Sequence, residues 1–173
     1  MPFTMSQSSL PACEIGLTAL IGVLDKAAAY AAAKKVDEAV LLGWRLAPDM
    51  FAFTRQVQVV TDQAKNGLSR LAGVEPPKFE DNETTLEALK ERLVKTLAYI
   101  KTLDAKAIDA SAERTISFPL GPKKGQMSGA DYLNHFVLPN FYFHLTTAYA
   151  IARNFGADVG KRDFLGAIPL TMA

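Results

Sequence analysis

Four stretches of this chain repeat their apolar residues at steps of three and four, and that pattern leaves few folds open. Leu10, Cys13, Leu17, Leu20, Leu24, Ala28 and Ala31 share one helical face. So do Met50, Phe53, Val57, Val60, Ala64, Leu68 and Leu71. A third face carries Leu86, Leu89, Leu93, Leu97 (or Thr96), Ile100 and Leu103. The fourth carries Leu133, Val137, Asn140, His144, Ala148, Ile151 and Phe155. Long helices with one apolar face bury it against each other, so the expected class is all-α, a four-helix bundle. The 173 residues suffice for one domain, 1–173, with its own core.

The punctuation between stripes sets the expected boundaries. The first helix is read over residues 9–34, with Pro11 in its first turn, where proline is tolerated. The first few residues are expected to be poorly tied down. Val36 to Leu46, with the only tryptophan, reads as a short extra helix over one end of the bundle. Pro48 breaks it, and Asp49 is placed to cap a second long helix from Met50 to Leu71, stopped by Gly73. Pro76 and Pro77 make residues 75–82 a loop. Thr84 and Glu87 have the capping-box spacing for the third helix, whose other face carries Glu87, Lys90, Glu91, Lys95 and Lys101 as a solvated surface. Arg114 to Phe118 alternates and Leu120 to Gly125 is turn-rich, which predicts a small β-hairpin pairing back through Gln126 to Ser128. The last helix then runs from the Ser128–Asp131 cap to Phe155, kinked near His135 to Pro139 because proline brings no amide proton. Phe164, Leu165 and Ile168 are expected to pack on the bundle or on a second subunit.

The fourth stripe is the unusual one. Asn140 and His144 lie one turn apart on a face that is otherwise apolar, where polar groups cost free energy unless they find partners. Three readings follow: a small-molecule pocket, a metal site, or a satisfied polar pair inside a structural bundle. In the pocket reading His144 is the hydrogen-bonding or acid–base group. Asn140 orients a polar group, Asp62 or Gln58 completes the site from the second helix, and Tyr132, Phe141, Tyr142 and Tyr149 supply walls.

The bulk composition excludes several classes. A net charge of +1, with basic and acidic residues interspersed, gives no footprint for nucleic acid. One cysteine, Cys13, rules out an internal disulfide and a multi-cysteine zinc site, which fits a cytoplasmic setting. No apolar run reaches the roughly 18–20 residues of a membrane span, and no signal peptide is expected.

Several blocks in order extend the reading: Leu46-Ala-Pro-Asp-Met50, Arg55-Gln-Val-Gln58, Gly73-Val-Glu-Pro-Pro-Lys-Phe-Glu80, Asp131-Tyr-Leu with His135, Leu138-Pro-Asn-Phe141, His144 with Thr146-Thr-Ala-Tyr149, and Gly160-Lys-Arg-Asp-Phe-Leu165. With four helices and a hairpin before the last, the chain resembles the DinB/YfiT-like superfamily, in an uncharacterised bacterial branch. That resemblance implies a divalent metal such as nickel or zinc held by three histidines, one on the second helix and two a turn apart on the last, used by some members for hydrolysis or thiol transfer. Here only His144 matches. Asn140 stands at the first of the paired positions, and the best register puts Val60 on the second helix, with Gln58 or Asp62 if the register slips. The expectation is therefore a small-molecule-binding bundle with a degenerate metal site and no resident cofactor. The alternatives are a metal-dependent enzyme of the superfamily type and a non-catalytic bundle. Bundles of this type often pair, so a homodimer is expected.

Overall fold

The computed structural model of the chain describes residues 3–171. Helix α1 (Met5–Lys34) starts earlier than its apolar stripe. Thr4 Oγ1 accepts from Gln7 N–H, and Gln7 Oε1 accepts from Thr4 N–H, a reciprocal capping box. Ser6 donates through N–H (2.7 Å) and Oγ (3.0 Å) to the Asp109 carboxylate. From Thr4 onward this start is tied down, contrary to the sequence expectation, which for Met1 and Pro2 lies outside the described residues. Pro11 consequently sits inside the helix and not in its first turn. It is exposed, so water can serve the Gln7 carbonyl that the proline leaves unbonded.

Asp37 caps the short helix α2 (Glu38–Gly43). Trp44 follows it, donating Nε1–H to Asn154 Oδ1 (2.9 Å) and meeting Phe155 edge-on, so this segment closes one end of the bundle as expected. Helix α3 (Phe53–Ala72) is not capped by Asp49; Ala52 is its N-cap, and no side chain serves it. Tertiary bonds set the start instead: Phe53 N–H to Trp44 O, Thr54 Oγ1 to Leu42 O, and Gln56 Nε2 to Phe51 O. Gly73, at φ 75°, ends it.

Helix α4 (Leu86–Ile100) is capped by Thr85, one residue later than the Thr84 box predicts, and that shift removes the reciprocal Glu87 partner. A five-residue helix α5 (Ala105–Asp109), unannounced by any stripe, supplies the Asp109 that holds α1. Strands β1 (Thr115–Leu120) and β2 (Lys123–Ser128) form the expected antiparallel hairpin, in register from Thr115↔Ser128 to Leu120↔Lys123. Gly121 (φ 58°) opens its two-residue turn. Phe118 stacks obliquely on Tyr132 and Phe136, and so anchors the hairpin to the last helix.

That last helix has three parts: α6 (Gly129–Asp131), a π-helical turn (Tyr132–Val137) and α7 (Leu138–Phe155). The π turn is the form the expected kink takes. Leu138 N–H reaches back five residues to Leu133 O, widening the turn just where the Pro139 ring needs space. One extra residue is absorbed, so the buried face runs Val137, Phe141, Leu145, Ala148, Ala152, in steps of mostly four. Asn140 and His144 are turned from the centre of the face to its edge.

Helix α3 is central, packed on both α4 and α7, while α1 packs on α4, α7 and α8 (Lys161–Leu165). The close α3–α7 approach needs Gly67, where a Cβ would lie 2.6 Å from Val137 Cγ1. By length and composition α1 is apolar enough to cross a membrane, which the sequence reading did not anticipate; Leu17, Leu20, Val23, Leu24 and Ala27 belong instead to the buried core. Phe164 meets Tyr149 edge-on, so the tail does pack on the bundle, with Leu165 and Ile168 half-exposed over α1 and α7.

The tightest crossing gives a test. A Cβ on Gly129 would lie 2.0 Å from the Ser111 carbonyl oxygen, a backbone atom that cannot rotate away. Gly129→Ala is expected to cost about 2–3 kcal/mol, a drop of roughly 5–10 °C in Tm by thermal denaturation. Gly22→Ala, in open space on α1, is expected to leave Tm unchanged or slightly raised.

Candidate functional site

The edge position of His144 determines what it meets. Its Nδ1 lies 2.7 Å from Gln56 Oε1, on the first turn of α3. Gln56 is 1% exposed. Its Nε2 donates to Phe51 O at 3.1 Å, which fixes the amide orientation and turns Oε1 toward the imidazole. Oε1 can only accept, so Nδ1 carries the proton and Nε2 keeps its lone pair. Nε2 has no partner among the described residues and is not a buried orphan, so it opens to solvent. Burial, and then the nearby Arg55 guanidinium, lower the His144 pKa below its usual 6.5 and hold the ring neutral.

The imidazole lines a recess of about 210 Å³ with Asp49, Met50, Phe51, Gln56 and Phe143. The Phe51 ring is nearly parallel to it, 23° off at 6.4 Å between centroids, and Phe143 is perpendicular at 5.0 Å. Phe51 and Phe143 are 54% and 58% exposed, so the recess has an apolar, open rim.

The other residues singled out from the sequence do not converge here. Asn140, one turn from His144, donates Nδ2–H to Phe136 O at 2.6 Å, a bond within its own helix beside the π turn. Gln58 donates to Glu83, and Asp62 pairs with Arg92, both on the α4 side of α3. Tyr132 is buried, accepts from Arg70 at 3.2 Å and packs on Phe118 and Phe136. Tyr149 packs on Phe164 near the tail. Phe141 is core, and half-exposed Tyr142 lines a separate apolar cleft with Phe164 and Ile168. Val60 is wholly buried; the residue of α3 that faces His144 is Gln56, one turn earlier. The signal for Gln56 was its place three residues after Phe53, on the flank of an apolar stripe.

The three-histidine metal set is not reconstituted by these residues. One imidazole nitrogen is open, the Gln56 amide is bonded on both sides, and the Asn140 amide donor is tied to the Phe136 carbonyl. Amide oxygens are weak ligands for nickel or zinc. Among the described residues no group of three or more His, Cys, Asp or Glu side chains is placed to hold an ion. The donor set present does not fit the group that the resemblance implies.

The family pattern described as domain of unknown function (DUF1993) matches residues 5–165. The chain belongs to that family. It is also similar to the crystal structure of a DinB family member protein from Shewanella denitrificans, with a TM-score of 0.91 and 38% identity, covering 98% of this chain and 96% of that one. No curated protein matches. The DinB-like fold expected from the sequence blocks is thus borne out along nearly the whole chain.

This DUF1993 chain holds a second polar arrangement that the sequence reading missed. Arg92, on α4, is 4% exposed. Its Nε–H donates to Thr61 Oγ1, NH1 to Glu80 O and Glu83 Oε1, and NH2 to Asp62, with Asp81 in an ion pair at 3.0 Å. All three guanidinium nitrogens are bonded. Lys65 adds a bond to Pro77 O (2.6 Å), and Lys65 and Lys95 lie 4.7 and 4.3 Å from the Phe79 ring centroid. Burial alone would raise the Glu83 pKa, but the Arg92 and Gln58 bonds outweigh it and hold the carboxyl below its usual range. At Asp62 burial wins, and its pKa is raised despite Arg92 and Lys65. The cluster pins residues 74–85 across α3 and α4. Its signal was legible: Arg92 sits three residues after Leu89 and four before Thr96, a charge on the buried face. A cleft of about 380 Å³ beside it, lined by Phe79, Glu83, Arg92 and Lys95, contains no unbonded Arg92 nitrogen.

Removing Arg92 leaves the partly buried Asp62 and Glu83 carboxylates, and the exposed Asp81, without their buried cation. Arg92→Met is expected to cost about 3 kcal/mol, seen as a lower urea midpoint. Arg92→Lys is expected to recover little of it, because one ammonium cannot match five planar donors. By NMR, His144 is expected to titrate below pH 6.5. Since its folded pKa lies below the unfolded one, its contribution to stability is complete above the unfolded value and is lost as pH falls through the folded value. A titration midpoint above 6.5 contradicts the assigned tautomer and environment.

Proposed function

We propose that this protein is a metal-free member of the DinB-like fold that binds a small molecule in the recess at His144. The observation that carries the reading is the His144–Gln56 pair: one ring nitrogen is clamped by a buried amide and the other is open to a recess with an apolar rim. A clamped imidazole of this kind is pre-oriented, so ligand binding does not have to order it. It serves as a hydrogen-bond acceptor, and as a proton acceptor if the ligand is acidic enough. Gln56 takes the role that the sequence offered to Gln58 or Asp62, and Asn140 supports the helix wall behind His144. The single, buried cysteine fits a cytoplasmic protein.

A second reading, self-association as a homodimer, is favoured by the exposed Phe51 and Phe143 rings, which are apolar groups that a partner would cover. It places the interface over the recess, so dimer and ligand would compete. Sedimentation at tens of micromolar discriminates: a strict monomer, or a dimer unaffected by Phe143→Ser, removes this reading.

For the principal reading, a thermal-shift screen of a small-molecule library on native protein and on His144→Ala is the test. At a hundred times its Kd a true ligand stabilises the native protein by about 2.7 kcal/mol, a rise of roughly 5–10 °C. The expected result is a hit whose shift disappears in His144→Ala. Hits that stabilise both proteins equally place the binding site elsewhere.

A further inference from the structure

The recess at His144 is selective by size, by shape and by hydrogen-bond polarity. Its volume, about 210 Å³, exceeds the roughly 150 Å³ of an apolar cavity that takes up benzene. It falls short of the roughly 300–1,000 Å³ pockets that hold drug-sized ligands. One ring and a small substituent match the space it encloses. Two of its walls are phenylalanine rings and a third is the Met50 side chain, surfaces that favour a flat, polarisable partner. The Phe51 ring and the imidazole are already near-parallel at 6.4 Å. A ring between them would need about 7–8 Å, at ordinary carbon–carbon spacing of 3.5–4 Å, so a ligand ring sits at the edge of the pair, where its donor meets the in-plane Nε2 lone pair.

The polar chemistry is narrower still. Because Nδ1–H is bonded to Gln56, the open Nε2 offers a lone pair and accepts. Asp49, an acidic residue, lines the recess and disfavours anions. Arg55, whose guanidinium carbon lies 5.9 Å from the Phe51 ring centroid, is bonded to Asp81 and Gln58. A ligand matched to this set has a donor and no negative charge.

We propose that the recess is a site for a neutral, single-ring aromatic molecule bearing one hydrogen-bond donor, a phenol or an N–H heterocycle, with the ring against Phe51 and Phe143 and the donor on His144 Nε2. The inference rests on the reading that this recess is the binding site, and it names the ligand class.

The test is an NMR titration of the full chain, following the His144 ring resonances with phenol, toluene, cyclohexanol and benzoate as probes. Phenol is expected to move the His144 signals and to bind roughly tenfold tighter than toluene, the worth of one hydrogen bond, and tighter than cyclohexanol; benzoate is expected not to bind. His144→Phe keeps an aromatic wall and loses the acceptor. In that variant, checked for a native melting curve and titrated by the line broadening of the probe's own resonances, phenol is expected to fall to the affinity of toluene. Cyclohexanol binding as well as phenol overturns the aromatic class but leaves the recess as the site, and preferential benzoate binding overturns the neutral class in the same way. If none of the four probes moves His144 while a library hit does, the ligand class is wrong and the site stands. If neither probes nor library hits move it, both fall together.

Discussion

Pro139 has no amide proton, and the geometry of the last helix follows from that absence. An uninterrupted α-helix would press the proline ring against the carbonyl four residues back and leave that carbonyl unbonded. The π turn over Tyr132–Val137 widens the helix there and absorbs one residue. Phe141 and Leu145 thereby take the centre of the buried face, where the three-and-four spacing had put Asn140 and His144. His144 arrives at the edge, within reach of the first turn of α3 and of solvent. A histidine left in the centre would be enclosed by apolar side chains with neither nitrogen available.

Two buried polar arrangements stabilise the bundle, and the difference between them separates structure from function. Among the described residues no buried side-chain nitrogen or oxygen lacks a partner, so neither arrangement is a defect. Around Arg92 every guanidinium nitrogen is bonded, between α3, α4 and the loop that joins them, and the result is closed. At His144 one nitrogen is used and the other is not, beside a recess large enough for a ring. A saturated network specifies packing; an unsaturated, pre-oriented group beside a cavity is what binding requires. The larger cleft beside Arg92 is therefore the less informative of the two, despite its charge.

The same comparison bears on how a chain with two histidines keeps a DinB-like architecture. The fold depends on the apolar faces of α1, α3, α4 and α7, to which Val60 belongs and neither Asn140 nor His144 does. Gln56 bonds His144 through its amide oxygen and the Phe51 backbone through its amide nitrogen.

Helix existence, order and most of the core were legible in the sequence, because periodicity is local and Leu17, Val57, Val60, Leu68, Leu89, Leu93 and Ile151 can bury only one way. The family was legible for the same reason: its blocks are strings of neighbouring residues. Helix starts were less so, since α1 and α3 begin where Asp109, Trp44 and Leu42 hold them, contacts between residues far apart in the chain. His144 was visible as a polar group on an apolar stripe, but its partner was not. Counting along an ideal helix assumes 3.6 residues per turn, and the π turn breaks that count by one residue, while the register of α3 against α7 depends on how closely Gly67 lets Val137 approach. The sequence by itself determined which faces are buried; only the tertiary structure decided that Gln56, and not Gln58, Val60 or Asp62, meets His144, because that choice depends on the relative height and rotation of two helices.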